Sequence, residues 1–233
     1  MANTSSTHDV KVLGAWPSPF VIRARIALNI KSVEYEFLAE TPGSKSQLLL
    51  QSNPVHKKIP VLIHRGKPIA ESLVIVQYID EVWSSGPSIL PSDPYDRAIA
   101  RFWAAYVDDK FFPSLRPIKS AQGEEKAALV KQVNEGLVLL EEAFQKSSKG
   151  KAFFGGDRIG YLDVAFGSML GWLRATEKMG EVKLLDEAKT PGLVQWAESF
   201  CADGAVKGLI PDTEKIVEFA KLIAARMKGS GSS

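Results

Sequence analysis

Ser18 is the side chain best placed to do chemistry, because it lies in the segment Trp16-Pro17-Ser18-Pro19-Phe20, between an apolar run and a helical stretch. A serine followed by proline is typical of a helix N-cap, where the hydroxyl accepts a hydrogen bond from a free backbone N–H. The same helix end attracts anions, and the hydroxyl can donate a hydrogen bond to a thiolate held in front of it. No neighbouring base is evident that would make Ser18 a nucleophile. The residue is either a plain cap or a group that stabilises negative charge on a ligand.

Two further motifs follow along the chain. In Asn53-Pro54-Val55-His56-Lys57-Lys58-Ile59-Pro60-Val61, a basic pair leads into an apolar strand. A cis bond before Pro60 would present the backbone of Ile59 to an extended peptide ligand, whereas the alternative is a loop leading into an edge strand. The third motif, Glu71-Ser72, marks a strand-to-helix turn. A carboxylate ligand can bind at that helix start and Glu71 can pair with an ammonium group, or Ser72 is simply a second cap.

The elements that position these motifs alternate between strands and helices. Apolar runs and period-two alternation predict strands at 10–15, 33–37, 60–63 and 68–70, and helices are predicted at 20–30, around 48–50 and at 72–83. This order predicts an α/β layer fold with a mixed sheet and helices on both faces. The three motifs would then lie at one end of the sheet. Glutathione is the obvious candidate ligand, since it carries a thiol, a peptide backbone and a charged amino-acid end.

The rest of the chain is predicted to be helical. A linker at 84–94, rich in proline and serine, separates a first domain at 10–83 from an all-α domain at 95–228. Asp93 and Pro94 are typical of a helix start, and that helix is predicted to carry Phe111 and Phe112. Further helices are predicted at 124–146, 161–179, 192–201 and 213–227. We expect a disordered extension at 1–9 and a flexible tail at 229–233.

Composition excludes several classes of protein. The 233 residues hold 29 basic and 27 acidic side chains, and this near balance argues against a nucleic-acid or membrane-surface protein. The lone Cys201 excludes an intramolecular disulfide framework, a CxxC redox pair and a multi-cysteine zinc site. We expect no metal and no permanently bound cofactor. The polar segment Met1 to His8 lacks the apolar core of a signal peptide, so we expect a cytoplasmic protein.

Five segments carry a specific resemblance: WPSPF…RARIAL, NPVHKKIPVL, the AES helix start, LPSDPYDRAIARFWA and FFGGDRIGYLDVAF. They strongly resemble the plant tau-class glutathione transferases, over roughly residues 10–228. The resemblance implies a thioredoxin-like N-terminal domain with a mixed four-stranded sheet, an all-α C-terminal domain and a homodimer. It also implies conjugation of glutathione to hydrophobic electrophiles in detoxification and stress response. Glutathione peroxidase activity is expected as a side activity of the same thiolate. The alternative is a non-catalytic carrier (ligandin) of hydrophobic or glutathionylated metabolites.

The same resemblance implies roles for individual residues. Ser18 matches the catalytic hydroxyl, and Lys45 and Lys58 match lysines that bind the glycine carboxylate end of glutathione. Ile59 would pair its backbone with the cysteine of glutathione, next to the family's cis-proline, Pro60. Related classes with cysteine at the position of Ser18 act through a mixed disulfide, so that chemistry is not expected here.

A second set supports or completes this site by resemblance. Glu71 and Ser72 match the residues that grip the γ-glutamyl end, and Arg23 and Asp108 match positions of a supporting polar network. Asp163 matches a buried aspartate at a helix start, although the family's Ser or Thr three residues earlier is Gly160 here, so we expect no full capping box.

The electrophile pocket is expected between the domains. By resemblance it is lined by Phe20, Phe112, Arg116, Trp172, Phe219 and Ile223, although periodicity alone would make Trp172 and Phe219 core residues. Pro117 and Lys119 lie where many relatives carry other residues, aromatic ones at the position of Lys119. These two departures from the family pattern bear on the range of electrophiles that the pocket accepts.

Overall fold

The structure is a computed structural model that describes residues 9–41 and 43–230, with side chains described as far as 226. Of the predicted terminal segments, residues 1–8 and 231–233 lie outside the described residues. The first unit runs β1 (Val10–Gly14), α1 (Pro19–Ile30), β2 (Glu36–Ala39), α2 (Gln47–Ser52), β3 (Val61–His64), β4 (Lys67–Ala70) and α3 (Ser72–Val82). The predicted β-α-β-α-β-β-α order is confirmed.

The sheet has the strand order β2-β1-β3-β4. Strands β1 and β2 are parallel, and the other two neighbouring pairs are antiparallel. Alternate residues of β1 and β3 pack on opposite faces. Val12 and Leu62 belong to the core shared with α1 and α3, whereas Leu13 and Val61 pack with Leu49 of α2 on the other face. The predicted mixed sheet with helices on both faces is therefore present.

The predicted start of β2 at residue 33 is wrong by three residues. The backbone N–H of Val33 donates to the carbonyl of Leu28 at 2.9 Å and so belongs to the end of α1. Pairing with β1 begins only at Glu36, opposite Lys11. Tyr35 accepts a hydrogen bond from Arg25 Nε at 2.9 Å, which accounts for its half-burial without a strand. Polar and apolar residues do alternate from residue 33 to residue 37, but the first of them belong to the turn that follows α1 and not to the strand.

The second unit is helical in its described residues. Its elements are α4 (Pro94–Tyr106), a π-helical segment (Val107–Phe111), α5 (Phe112–Leu115), a 3-10 segment (Arg116–Lys119), α6 (Gly123–Ser148), α7 (Tyr161–Gly167), α8 (Leu170–Gly180), α9 (Pro191–Ala202) and α10 (Thr213–Ser230). Asp93 caps α4 as predicted, accepting from the backbone N–H groups of Tyr95 and Asp96. Phe111 and Phe112 lie beyond the end of that helix, because the backbone changes to π-helical hydrogen bonding at Val107.

The predicted single helix at 161–179 is two helices, α7 and α8. The carbonyl of Ala165 accepts from Arg23, at 3.2 Å from Nε and 2.8 Å from Nη2. In a continuous helix that carbonyl would accept from Met169, whose N–H instead donates to Phe166 at 2.9 Å. A buried arginine from the first unit thus occupies the carbonyl at which the helix breaks.

Asp163 organises the core of the helical unit. Its fully buried carboxylate accepts hydrogen bonds from the backbone N–H groups of Phe154, Gly155 and Gly160 and from the indole of Trp196. Because glycine has no side chain, only the aspartate half of a capping box exists, as the sequence predicted. Burial raises the pKa of Asp163 to about 6, against the effect of these four donors, which lower it.

The last helix is longer than predicted. Helix α10 continues to Ser230, so the first two residues of the predicted tail, 229 and 230, are helical. No helix in the described ranges is both long and apolar enough to cross a membrane.

Candidate functional site

The sheet brings the sequence motifs to one of its ends. Leu13 lies opposite Val61, and Val61 lies opposite Ala70, so the end of β1, the start of β3 and the end of β4 adjoin. Strand β2 ends at the same edge, where Ala39 pairs in register with Gly14. The loops that carry Ser18, Lys45, Ile59 and Glu71-Ser72 therefore leave the sheet from a single edge.

Ser18 is the N-cap of α1. Its hydroxyl accepts from the backbone N–H of Val21 at 3.4 Å, and its own backbone is extended. The helix behind it has 12 residues, so the positive end of a full-length helix dipole lies at the half-buried serine. The loop before Ser18 is held in place, because the indole Nε1 of Trp172 donates to the carbonyl of Pro17 at 2.6 Å. The predicted cap is confirmed, and its hydroxyl retains a proton to donate.

A cleft of about 290 Å³ opens between the ends of β1 and β2, the start of α2 and the loop before β3. It is lined by Ala15, Glu40, Thr41, Gly43, Ser44, Lys45, Leu49, Lys57, Lys58 and Ile59. The bond between Ile59 and Pro60 is cis. Glu40 accepts from the backbone and hydroxyl of Ser46, which caps α2, so this carboxylate is already engaged. The cleft has three lysines and can hold a small anion.

The start of α3 differs from the prediction that Ser72 caps this helix. Ser72 is the first residue of the helix rather than its cap, and Glu71 occupies the cap position with a φ of 69° and no side-chain cap bond. The hydroxyl of Ser72 is buried and accepts from Arg23 Nη1 at 3.2 Å. The exposed carboxylate of Glu71 lies 3.9 Å from His56 Nε2. The first backbone N–H groups of α3 and the carboxylate of Glu71 are thus both available at the sheet edge.

Arg23 links this edge to the helical unit. Its guanidinium, wholly excluded from solvent, binds both carboxylate oxygens of Asp108, with Nη1 at 2.8 Å and Nη2 at 2.6 Å. It also contacts Ser72, Ser168 and the carbonyl of Ala165. Every polar edge of the guanidinium is used, which is the condition under which a buried charge is tolerated. The position of Ser72 thus depends on the packing of both units.

Aromatic rings flank Ser18 in the sequence and contact further rings from the helical unit. Phe20 meets Phe112 edge to face, with ring centroids 5.8 Å apart. Trp172 and Trp16 both contact Phe219, with centroids at 6.5 and 5.6 Å. The resemblance-based assignments of Phe20, Phe112, Trp172 and Phe219 thus fall on two aromatic pairs beside the helix start. Ile223 is half-buried one turn after Phe219 on α10.

Two cations lie over these rings. Arg116 stands 5.9 Å above the ring of Phe112, and Lys119 Nζ stands 5.3 Å above Trp172. Lys119 and Trp16 were not among the predicted lining residues. Trp16 is 44% exposed and stands two residues before Ser18, which is the only sequence signal for it. Lys119 could be noticed only as a departure from the family pattern.

Cys201 is partly buried and accepts a hydrogen bond from Arg174 at 3.6 Å, away from this edge. Across the described ranges, no group of three or more His, Cys, Asp or Glu side chains is arranged to hold a metal ion. The chemistry available at the sheet edge is therefore that of one capped helix end, three lysines, a carboxylate and aromatic walls.

Comparison with known proteins places the chain in a family. The model of the glutathione S-transferase N-terminal domain matches residues 8–81, and that of the C-terminal domain matches residues 123–199. Glutathione S-transferase U17 of Arabidopsis thaliana is 64% identical over 220 residues, which are 94% of this chain and 97% of that protein.

Solved structures agree with that placement. The tau-class glutathione S-transferase of mango, Mangifera indica, is 71% identical with a TM-score of 0.90, covering 92% of this chain and 98% of its own. A rice glutathione S-transferase, solved in complex with glutathione, is 38% identical with a TM-score of 0.86, over 94% of this chain and 100% of its own. The N-terminal unit thus has the thioredoxin-like fold of these enzymes, and the chain belongs to the tau class of plant glutathione S-transferases.

Proposed function

We propose that this protein conjugates glutathione to hydrophobic electrophiles, with Ser18 as the catalytic hydroxyl. The observation that carries the proposal is the meeting, at one sheet edge, of the capped start of α1, the lysine-lined cleft and the free start of α3, with aromatic rings beside them. No base contacts Ser18 in the described structure, which supports a role in stabilising charge rather than in nucleophilic attack.

Glutathione would lie along this edge in an extended conformation. Its glycine carboxylate would bind Lys45 and Lys58, and its cysteine would pair with the backbone of Ile59 beside the cis-proline, Pro60. The γ-glutamyl carboxylate would bind at the start of α3, where Ser72 is fixed by Arg23, and its ammonium group would pair with Glu71. This arrangement leaves the thiol in front of Ser18. The rice relative solved with glutathione supports the choice of ligand.

The energetics favour a thiolate. A free thiol has a pKa of about 8.5, and lowering it by about 2 units requires about 2.7 kcal/mol of preferential stabilisation of the anion. One hydroxyl hydrogen bond to a charged group contributes about 1.5–3 kcal/mol, and a helix end about 0.3–1 kcal/mol. Ser18 and the dipole of α1 together reach this value.

In the proposed reaction, the glutathione thiol loses its proton to solvent and the thiolate attacks an electrophilic carbon. With chlorodinitrobenzene, a carbon–sulfur bond forms and chloride leaves, so the products are the thioether conjugate and a chloride ion. The electrophile would lie among Phe20, Phe112, Trp172, Phe219 and Ile223, within reach of Arg116. Burying a planar ring against these side chains supplies the affinity.

A second activity follows from the same thiolate. It can attack the O–O bond of a hydroperoxide to give an alcohol and glutathione sulfenic acid. A second glutathione then forms the disulfide and releases water. A carrier of hydrophobic or glutathionylated metabolites is the alternative, with binding at the same aromatic pocket and no turnover.

We also propose a cytoplasmic homodimer. Large apolar side chains stand exposed on neighbouring helices, with Val74 and Val82 on α3 and Tyr95 and Phe102 on α4. A hydrogen bond from Arg101 to Gln77 joins those two helices, which carry these exposed residues. Solution scattering would give a dimer mass, and a monomer mass at micromolar concentration would contradict this assignment.

The test of the proposed function is a panel of electrophiles and hydroperoxides assayed with glutathione. Conjugation rates well above the uncatalysed reaction, lost when glutathione is replaced by its S-methyl derivative, are expected. Tight binding of the same compounds without turnover would support the carrier instead.

A further inference from the structure

The 3-10 segment between α5 and α6 places two cations over aromatic rings that are proposed to bind the electrophile. Arg116 and Lys119 stand three residues apart, at the first and last positions of the segment. In a 3-10 helix, residues at this spacing lie on the same side. Each cation lies over a different ring, Arg116 over Phe112 at 5.9 Å and Lys119 over Trp172 at 5.3 Å.

Both rings connect directly to the residues that flank Ser18. Phe112 contacts Phe20, two residues after the serine, and the indole of Trp172 donates to the carbonyl of Pro17, one residue before it. The two cations are therefore placed over rings that contact the segment around Ser18. They do not belong to the lysine-lined cleft, which draws its residues from β1, β2, α2 and the loop before β3.

Neither cation has an anionic partner among the described residues. Some other basic side chains do have one: Arg23 pairs with Asp108, Lys31 with Asp80 and Lys151 with Asp157. Lys119 instead faces a second positive charge. Partial burial against Trp172 and, to a lesser degree, the charge of Arg116 lower the pKa of Lys119. Both side chains are also exposed, so these two like charges beside apolar rings, with no counterion from the described part of the chain, are open to an anion from solvent.

We propose that the pocket selects planar electrophiles that carry a carboxylate, and that Lys119 is a specificity-determining residue. The aromatic rings bind the planar part of the substrate, and Lys119 and Arg116 bind its carboxylate. This inference rests on the proposed conjugation of glutathione and adds the chemical class of the second substrate. A carboxylate is the anion chosen because it is planar and can stay conjugated with the ring that stacks in the pocket.

Two substrates that differ only in the anionic group test the proposal: neutral chlorodinitrobenzene and its carboxylate analogue, chlorodinitrobenzoate. The measured quantity is the ratio of their kcat/KM values with glutathione, each divided by its uncatalysed rate. The variants are Lys119→Met, which keeps the length of the side chain but loses the charge, and Lys119→Arg, which keeps the charge. Lys207→Met is the matched control, because Lys207 is exposed in the turn before α10 and lies outside the site.

The wild type is expected to favour the carboxylate, and the preference is expected to fall about tenfold in Lys119→Met, which corresponds to about 1.4 kcal/mol. Lys119→Arg and Lys207→Met should retain it, and added salt should weaken it in the wild type. Equal loss on both substrates in Lys119→Met would overturn the proposal, because the lysine would then stabilise the reacting anion rather than select the substrate. An unchanged ratio would overturn it as well. If neither substrate reacts in the wild type, the proposed conjugation itself is wrong.

Discussion

The guanidinium of Arg23 binds both carboxylate oxygens of Asp108, although the arginine lies on a helix of the first unit and the aspartate in the helical unit. The same guanidinium binds Ser72, at the edge where glutathione is proposed to bind, and the carbonyl of Ala165 near the end of α7. A single buried cation thus couples the packing of the two units to the geometry of the site. Loss of the ion pair between Arg23 and Asp108 should therefore lower both the free energy of unfolding and the affinity for glutathione.

Asp108→Ala should lower the free energy of unfolding by about 3 kcal/mol, because it leaves Arg23 buried without its counterion. Denaturant unfolding monitored by tryptophan fluorescence measures this. Asp109→Ala is the matched control, because Asp109 is the next residue and its carboxylate is exposed. It should change the free energy of unfolding by less than about 0.5 kcal/mol. Equal effects of the two variants would show that the pair is dispensable.

Stability should also depend on pH through Asp163. Its folded pKa of about 6 lies above its ordinary value of 3.8, so the folded chain holds this proton more tightly than the unfolded chain. The resulting stabilisation is fully present below pH 3.8 and is lost as pH rises through about 6. The variant Asp163→Asn cannot titrate at this position. The free energy of unfolding of the wild type, measured relative to this variant, should therefore be about 1.4 kcal/mol higher at pH of about 5 than at pH of about 8. A difference in unfolding free energy that does not change between these conditions would contradict the raised pKa.

Lys45→Ala and Lys58→Ala should each raise KM for glutathione about tenfold while kcat changes little. The two lysines line the cleft proposed for the glycine carboxylate, and a hydrogen bond to a charged group contributes about 1.5–3 kcal/mol. Steady-state kinetics at saturating electrophile measure the split. Lys67→Ala is the control, because Lys67 pairs with His64 at the opposite end of the sheet. A fall in kcat with unchanged KM would place these lysines outside the binding site.

Trp172→Phe should lower kcat more than it raises KM for the electrophile. The variant keeps an aromatic wall but removes the 2.6 Å hydrogen bond that holds the carbonyl of Pro17, next to Ser18. A loop free to shift by a fraction of an ångström costs catalysis before it costs binding of an apolar ring. Trp103→Phe, whose ring packs edge to face on Tyr106, is the control and should leave both constants near the wild type. If kcat and KM changed to the same extent in both variants, the hydrogen bond from Trp172 to Pro17 would have no specific role in catalysis.

Local sequence patterns are informative where local physics decides the structure. The caps at Ser18 and Asp93 form as predicted, since each depends on a few adjacent residues. The break between α7 and α8 falls at Gly167-Ser168, and the hydroxyl of Ser168 donates to the carbonyl of Ala165 at 3.1 Å. The hydrogen bond from Arg23 to the same carbonyl comes from 142 residues away, so no local pattern predicts it. The same arginine takes the hydroxyl of Ser72, which the local pattern made a cap.

The candidate site follows a similar division. The order of predicted strands and helices is enough to put the three motifs at one edge of the sheet, but the individual assignments of Lys45, Arg23 and Asp108 come only from family resemblance. Family resemblance does not assign a role to Lys119, because a resemblance carries over only the residues that relatives share. Its position over Trp172 is visible only in three dimensions, since the two residues are 53 positions apart in the chain and belong to different helical segments.

The ionisation of bound glutathione tests the central claim most directly. The ultraviolet absorbance of the thiolate, followed against pH in the complex of enzyme and glutathione, gives the pKa of the bound thiol. In the wild type it should lie about 2 units below the free value of about 8.5. Ser18→Ala should raise it by at least about 1 unit, and Ser18→Thr, which keeps a hydroxyl, should leave it low. A bound thiol whose pKa is the same in the wild type and in Ser18→Ala would contradict the account.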